Sequence, residues 1–152
     1  MTQRIVVTSN SAEVSARLAK RVKASIKDVQ QLVVNATNLV EETVVKGIHG
    51  PPKTGILYEK GSSFRGNRPS HRASAPGEYP ATDTGYLAQN ISFTMSADRL
   101  TGRITSEAEY SKDLEYGRNG VAARPFMQPS LEKNRRKIIG WFKRAKLMRD
   151  LS

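Results

Sequence analysis

The chain has 152 residues, with 25 Lys and Arg against 14 Asp and Glu, a formal charge of +11 and no cysteine. Such a length supports one hydrophobic core, and the missing cysteines exclude disulfide frameworks, thiolate zinc sites and cysteine nucleophiles together. The charge admits nucleic acid, acidic lipid or an acidic protein surface as partner without choosing among them.

Only 38% of the residues are hydrophobic and 7% aromatic, so part of the chain is expected to bury little until partner surfaces complete it. No apolar run approaches the roughly 20 residues of a membrane span, and the apolar stretch in "MTQRIVVTSN" is too short for a signal peptide. The expectation is a soluble, unexported protein made in a reducing cytoplasm, with residues 1–152 forming a single domain.

Along the first third, Val14, Leu18, Val22, Ile26, Val29, Val33, Ala36, Val40 and Val44 recur at steps of four and three. That spacing predicts a helix over about residues 11–46. Asn10 and Glu13 have the spacing of a capping box, and Gly47 followed by Pro51 and Pro52 reads as the stop. The polar face begins basic, with Arg17, Lys20, Arg21, Lys23 and Lys27, and turns acidic at Glu41 and Glu42. It reads as a solvated face or as a docking surface.

"TGILYEK" (Thr54 to Lys60) predicts a short strand, and the stretch from about residue 61 to 82 has no period of either kind. It is expected to be a long loop carrying Arg65, Arg68 and Arg72, of the sort that is functional or orders on a partner. Asp83 or Thr84 then caps a short helix with Tyr86 and Leu87. "ISFTMSA" alternates Ile91, Phe93 and Met95 against polar residues, and with "DRLTG" and "RITSEAEY" it predicts a hairpin. Tyr110 and Leu114 suggest a helical turn ending at Gly117, which suits the positive φ of a C-cap.

After the loop "RNGVAARPF", residues from about Pro129 to Asp150 place Leu131, Ile138, Phe142, Ala145 and Met148 near one face, amid many Lys and Arg, with Gly140 as the place for a bend or a close contact. The fold class is therefore α+β: a long N-terminal helix, a small and mainly antiparallel sheet with a hairpin, short helices and a C-terminal amphipathic helix.

Catalytic chemistry has no foothold in this pattern. His49 and His71 read as exposed loop residues without a metal-ligating partner at helical spacing. Glu107, Glu109, Asp113 and Glu115 cluster in sequence but read as facing water. Neither a phosphate-binding glycine loop nor a nucleophile elbow is present, so no enzyme, no metal and no cofactor is expected.

The order "SAPGEYPATDTGYLAQNI", hairpin, "YSKDLEYG", "AARPFMQPSLEK" resembles the tail-completion, or head-to-tail joining, family of long-tailed lambdoid-type bacteriophages, over roughly residues 74–134. The family's Pro-Gly-x-x-Pro segment falls on Pro76, Gly77 and Pro80, and its acidic Thr-Gly-x-Leu on Asp83, Thr84, Gly85 and Leu87. Its Tyr-x-x-x-Leu-Glu-aromatic-Gly falls on Tyr110, Leu114, Glu115, Tyr116 and Gly117, and its Ala-Arg-Pro-Phe ends in Arg124, Pro125 and Phe126, with Pro129 opening the last helix. Arg118 departs from the threonine usual after that glycine.

The resemblance implies a structural virion protein without catalytic activity, assembled in the bacterial host cytoplasm and residing in the neck or tail. There it implies a minor tail component that forms a homo-oligomeric ring, sixfold like a tail tube, between the head connector and neighbouring neck, tail-terminator or tail-tube proteins. The motif residues then serve either the fold or the interface. The alternative is a basic DNA-binding protein acting in genome packaging or retention, with Arg65, Arg68, Arg72, Arg135, Arg136 and Lys137 on phosphates. Non-specific DNA contact within a neck channel is compatible with both. A membrane-surface role for the basic last helix is a weaker third reading.

Overall fold

The computed structural model describes residues 11–50, 52–59, 62–63, 66–67, 70–118 and 120–145. The architecture is α+β, as the patterning predicts. Asn10, Arg65, Arg68 and everything after Ala145 lie outside the described residues.

Helix α1 (Ser11–His49) has 39 residues and so spans about 58 Å. Only its C-terminal half enters the core: Val44 and Ile48 are fully buried beside Leu87, Ala88, Ile91, Ala108 and Phe126. The expected stop at Gly47 is corrected, because the helix continues to His49. A Cβ at Gly47 would overlap the Tyr79 ring. The glycine therefore admits an aromatic ring against the helix rather than ending it.

The expected loop at 61–82 is corrected in its first part only, since residues 73–82 hold neither helix nor strand. Strand β1 (Leu57–Tyr58) pairs antiparallel with β4 (His71–Arg72), and β2 (Ser62–Ser63) pairs with β3 (Gly66–Asn67) between them. Pairings of two residues are too short to show a period of two, which is why the sequence reads as structureless. They make a narrow arm, on which Ile56, Leu57 and Tyr58 are exposed.

The arm is tied at its base by Glu78, which accepts the Thr54 hydroxyl at 2.6 Å, the Thr54 N–H at 3.1 Å and the Ala75 N–H at 2.8 Å. The Gly55 N–H donates to the Ala73 carbonyl at 3.0 Å, and the Ala73 N–H to that of Ile56 at 2.9 Å. His71 is half-buried in β4 rather than sitting in an open loop, and His49 closes α1.

Helix α2 (Tyr86–Gln89) has Gly85, at φ 79°, as its N-cap with no side-chain cap, while the Thr84 hydroxyl accepts the Tyr86 N–H at 3.3 Å. The expected hairpin is present as β5 (Ile91–Met95) and β6 (Gly102–Ser106), in the register Ile91↔Ser106 to Met95↔Gly102. Helix α3 (Ser111–Tyr116) ends as predicted on Gly117, whose φ is 73°. Helix α4 (Met127–Arg144) starts two residues before the predicted position and runs unbroken through Gly140. A Cβ at Gly140 would find only the Arg144 guanidinium, at 3.8 Å, so no close packing requires that glycine.

Hydrogen bonding to the ionised carboxyl holds Glu78 below the ordinary glutamate value of 4.5, first through the Thr54 hydroxyl, then through the Ala75 and Thr54 amides. A depressed folded-state pKa makes the contribution of Glu78 full above pH 4.5 and lost as pH falls below it. Urea denaturation of wild type and Glu78→Gln should therefore differ at neutral pH and converge in acid. A gap that persists unchanged well below pH 4.5 would remove this role.

Candidate assembly interface

Three of the four motif segments meet at one junction beneath the N-terminus of α4, and the fourth joins it through Leu87, which packs in the core with Phe126. A helix leaves its first backbone N–H groups without intrahelical acceptors. The N-cap residue here is Phe126, which has no side-chain acceptor to offer. The acceptor comes from α3: the Glu115 carboxylate takes the Phe126 N–H at 2.8 Å, the Met127 N–H at 3.0 Å and the Gln128 N–H at 3.0 Å. The next residue, Pro129, has no N–H, so one carboxylate completes the turn. Its charge also sits favourably at the positive end of the helix dipole.

This overturns the expectation that Glu115 faces water along with its acidic neighbours. The signal available in the sequence was negative: a helix beginning Phe-Met-Gln-Pro has no capping residue of its own.

Arg124 is the second tie. Its N–H donates to the Leu114 carbonyl at 2.6 Å, its Nε–H to the Ser74 carbonyl at 3.0 Å and a terminal guanidinium N–H to the Ala122 carbonyl at 3.1 Å. The Gly77 N–H donates to the Ala123 carbonyl at 2.9 Å. The Pro76, Gly77 and Pro80 segment is thus stitched to the 118–126 loop, with Pro80 buried and Pro76 and Gly77 exposed. At Gly117 a Cβ would lie 2.8 Å from the Val121 carbonyl oxygen, so φ and space both demand glycine there. Arg118, the departure from the family pattern, bridges to Val121 and sits 3.6 Å from Asp113.

Phe126 and Leu87 are core residues, and Leu114 and Pro125 are half-buried. Asp83, Thr84, Tyr110 and Tyr116 are exposed, Tyr116 at 76%. Tyr86 and Tyr110 pair with ring centroids 6.2 Å apart. Partial burial, and then the Tyr86 phenol, push the Tyr110 phenol up from its ordinary value.

A polar seam fixes α4 along α1. The Tyr79 hydroxyl and Ser130 hydroxyl lie 2.9 Å apart, Ser130 donates to the Phe126 carbonyl at 2.6 Å, and the Asn134 amide donates to the Thr43 hydroxyl at 2.8 Å. Ser130 and Asn134 are the buried residues of α4. The apolar residues Leu131, Ile138 and Phe142 instead line an open groove of about 540 Å³ with Val33 and Val40 of α1 and Ile104 of β6.

Among the described residues the basic candidates Arg72, Arg135, Arg136 and Lys137 do not converge. The Arg72 guanidinium donates to the Gly55 carbonyl at 3.0 Å, Arg135 is held by Glu132 at 3.0 Å, and Lys137 lies 5.5 Å from the Trp141 ring centroid. Arg135, Arg136 and Lys137 are consecutive on a helix, so they fan around it rather than forming a stripe. His49 and His71 do line one shallow pocket, with Lys53 and Arg72. Burial lowers Lys53 from its ordinary value, with Glu78 opposing, and its ammonium donates to the Gly47 carbonyl at 2.9 Å.

Among the described residues no group of His, Asp and Glu is placed to hold a metal ion, and no helix is long and apolar enough to cross a membrane. No protein-family model matches the chain, and neither a curated protein nor a solved structure does.

Removing the remote cap leaves three N–H groups without their acceptor. Glu115→Ala should lower stability by about 1–3 kcal/mol, and Glu115→Gln by less because an acceptor oxygen remains. Thermal or urea unfolding reads both. An unchanged melting temperature in Glu115→Ala would show that the carboxylate is dispensable.

Proposed function

We propose that the protein is a non-enzymatic structural subunit of a bacteriophage neck or tail, forming a ring that completes the tail and joins it to the DNA-filled head. One observation carries the reading. Three of the four segments that resemble the tail-completion signature are joined by hydrogen bonds into a single junction, in which Glu115, Arg124 and Gly77 are committed to backbone partners, and the fourth reaches it through Leu87 in the core beside Phe126. Side chains committed in this way build a shape; they are not poised for proton transfer or nucleophilic attack.

Uncovered apolar surface supports assembly as well. Tyr116 is 76% exposed at the edge of an open groove lined by Leu131, Ile138, Phe142, Val33 and Ile104, and a contiguous apolar surface of this kind suits a chain completed by neighbours. The net charge of +11 leaves DNA contact inside a channel as a compatible secondary property. The scattering of Arg72, Arg135, Arg136 and Lys137 argues against a dedicated phosphate track. Residence in the virion and passage of DNA through the ring belong to the same proposal.

Deletion of the gene from a phage that encodes it should leave DNA-filled heads and separate tails, or tails of faulty length, in electron micrographs of lysates. Empty heads would transfer the role to genome packaging, and joined infectious particles would overturn the structural reading.

A further inference from the structure

Helix α1 is half bare. Its N-terminal half presents Val14, Leu18, Val22 and Ile26 at successive steps of four, and these are 46–61% exposed. Steps of four form one continuous ridge on a helix, the kind that packs into a groove between elements. Solvent is a poor environment for four aliphatic side chains in a row. At 100° per residue the ridge also lies on the side of α1 that, further along, carries Val33 and Val40 into the groove.

The groove has the opposite deficiency. The polar seam of Ser130 and Asn134 turns α4 so that, among the described residues, Leu131, Ile138 and Phe142 face an open groove. One chain therefore holds a ridge without a groove and a groove without a ridge.

We propose that the N-terminal half of α1 seats in the groove of a second copy of this chain. Two features of the molecule single out a second copy. The ridge from Val14 to Ile26 is about 18 Å long and the α4 wall from Leu131 to Phe142 about 17 Å, so each matches the other in length. The ridge half of α1 (residues 11–28) carries five cations against two anions, and among the described residues the one charged side chain lining the groove is the acidic Glu115, the cations of α4 lying outside that lining. Ridge and groove are thus complementary in charge, while two ridges repel.

The contact is heterologous: each copy gives a helix to one neighbour and takes one from the other, a pattern that makes a ring when the rotation between copies closes and a filament when it does not. In this form the inference rests on the joining-ring reading, for which it supplies the contact between subunits.

Sedimentation velocity on the full chain tests it with two variants. Val22→Asp with Ile26→Asp spoils the ridge, and Leu131→Asp, at a residue 49% exposed, spoils the groove. All three positions are solvent-facing in the single chain, and circular dichroism melts matching wild type establish that the fold is kept. Wild type should sediment as a species larger than monomer and each variant alone as monomer. An equimolar mixture of the two variants should give a heterodimer and nothing larger, because one intact ridge meets one intact groove. A monomeric wild type, a variant of unchanged mass or a mixture that stays monomeric would each overturn the proposal. Variants of unchanged mass together with unjoined heads and tails in the deletion phage would leave the joining role standing and remove this contact.

Discussion

The Glu115 carboxylate at the start of α4 is the constraint on which the rest of the structure depends. A single anion on the short helix α3 accepts from Phe126, Met127 and Gln128 and so determines where α4 begins. That position places Phe126 in the core and Ser130 beneath the Tyr79 hydroxyl. Asn134, one turn further on, then meets Thr43 of α1 across 91 residues of sequence. A helix pinned at its end by charge and along its side by two polar contacts has no freedom to rotate. Buried polar groups confer this kind of specificity because leaving them unpaired is costly.

The rotation explains the unusual surface. An amphipathic helix ordinarily turns its apolar face to the core; α4 turns Ser130 and Asn134 there and leaves Leu131, Ile138 and Phe142 at a groove. The core that remains is small, built around Val44, Ile48 and Phe126. A chain with a 39-residue helix and so modest a core leaves much of its apolar area exposed among the described residues. The Gly77 and Glu78 turn serves the same economy of structure. It joins the arm, the 118–126 loop and, through Tyr79, the helix pair.

What the sequence discloses is whatever is local and repeated. The steps of four and three in α1, the alternation in β5 and β6 and the glycine at the end of α3 each depend on neighbours within a few residues, and each is observed. The arm escapes because β1 to β4 are two residues long. Gly47 misleads because a glycine before two prolines has the appearance of a stop, whereas its use is to clear space for Tyr79, 32 positions away. Glu115 misleads because its partners lie 11 to 13 residues on, beyond any helical spacing. The amphipathic pattern of α4 is legible while its direction is not: only the seam to Thr43 and Tyr79 decides which face meets the core. The likeness to tail-completion proteins rests on the sequence pattern, to which the structure adds that three of the four matching segments are hydrogen-bonded to one another.

The central claim, a ring subunit at the head-to-tail junction, is tested most directly by electron microscopy of purified virions whose genome carries an epitope-tagged copy of this chain, labelled with a gold-conjugated antibody. The account predicts label confined to the neck or the head-proximal end of the tail, at several copies per particle. Label absent from purified particles, or found with DNA released from opened heads, would contradict it.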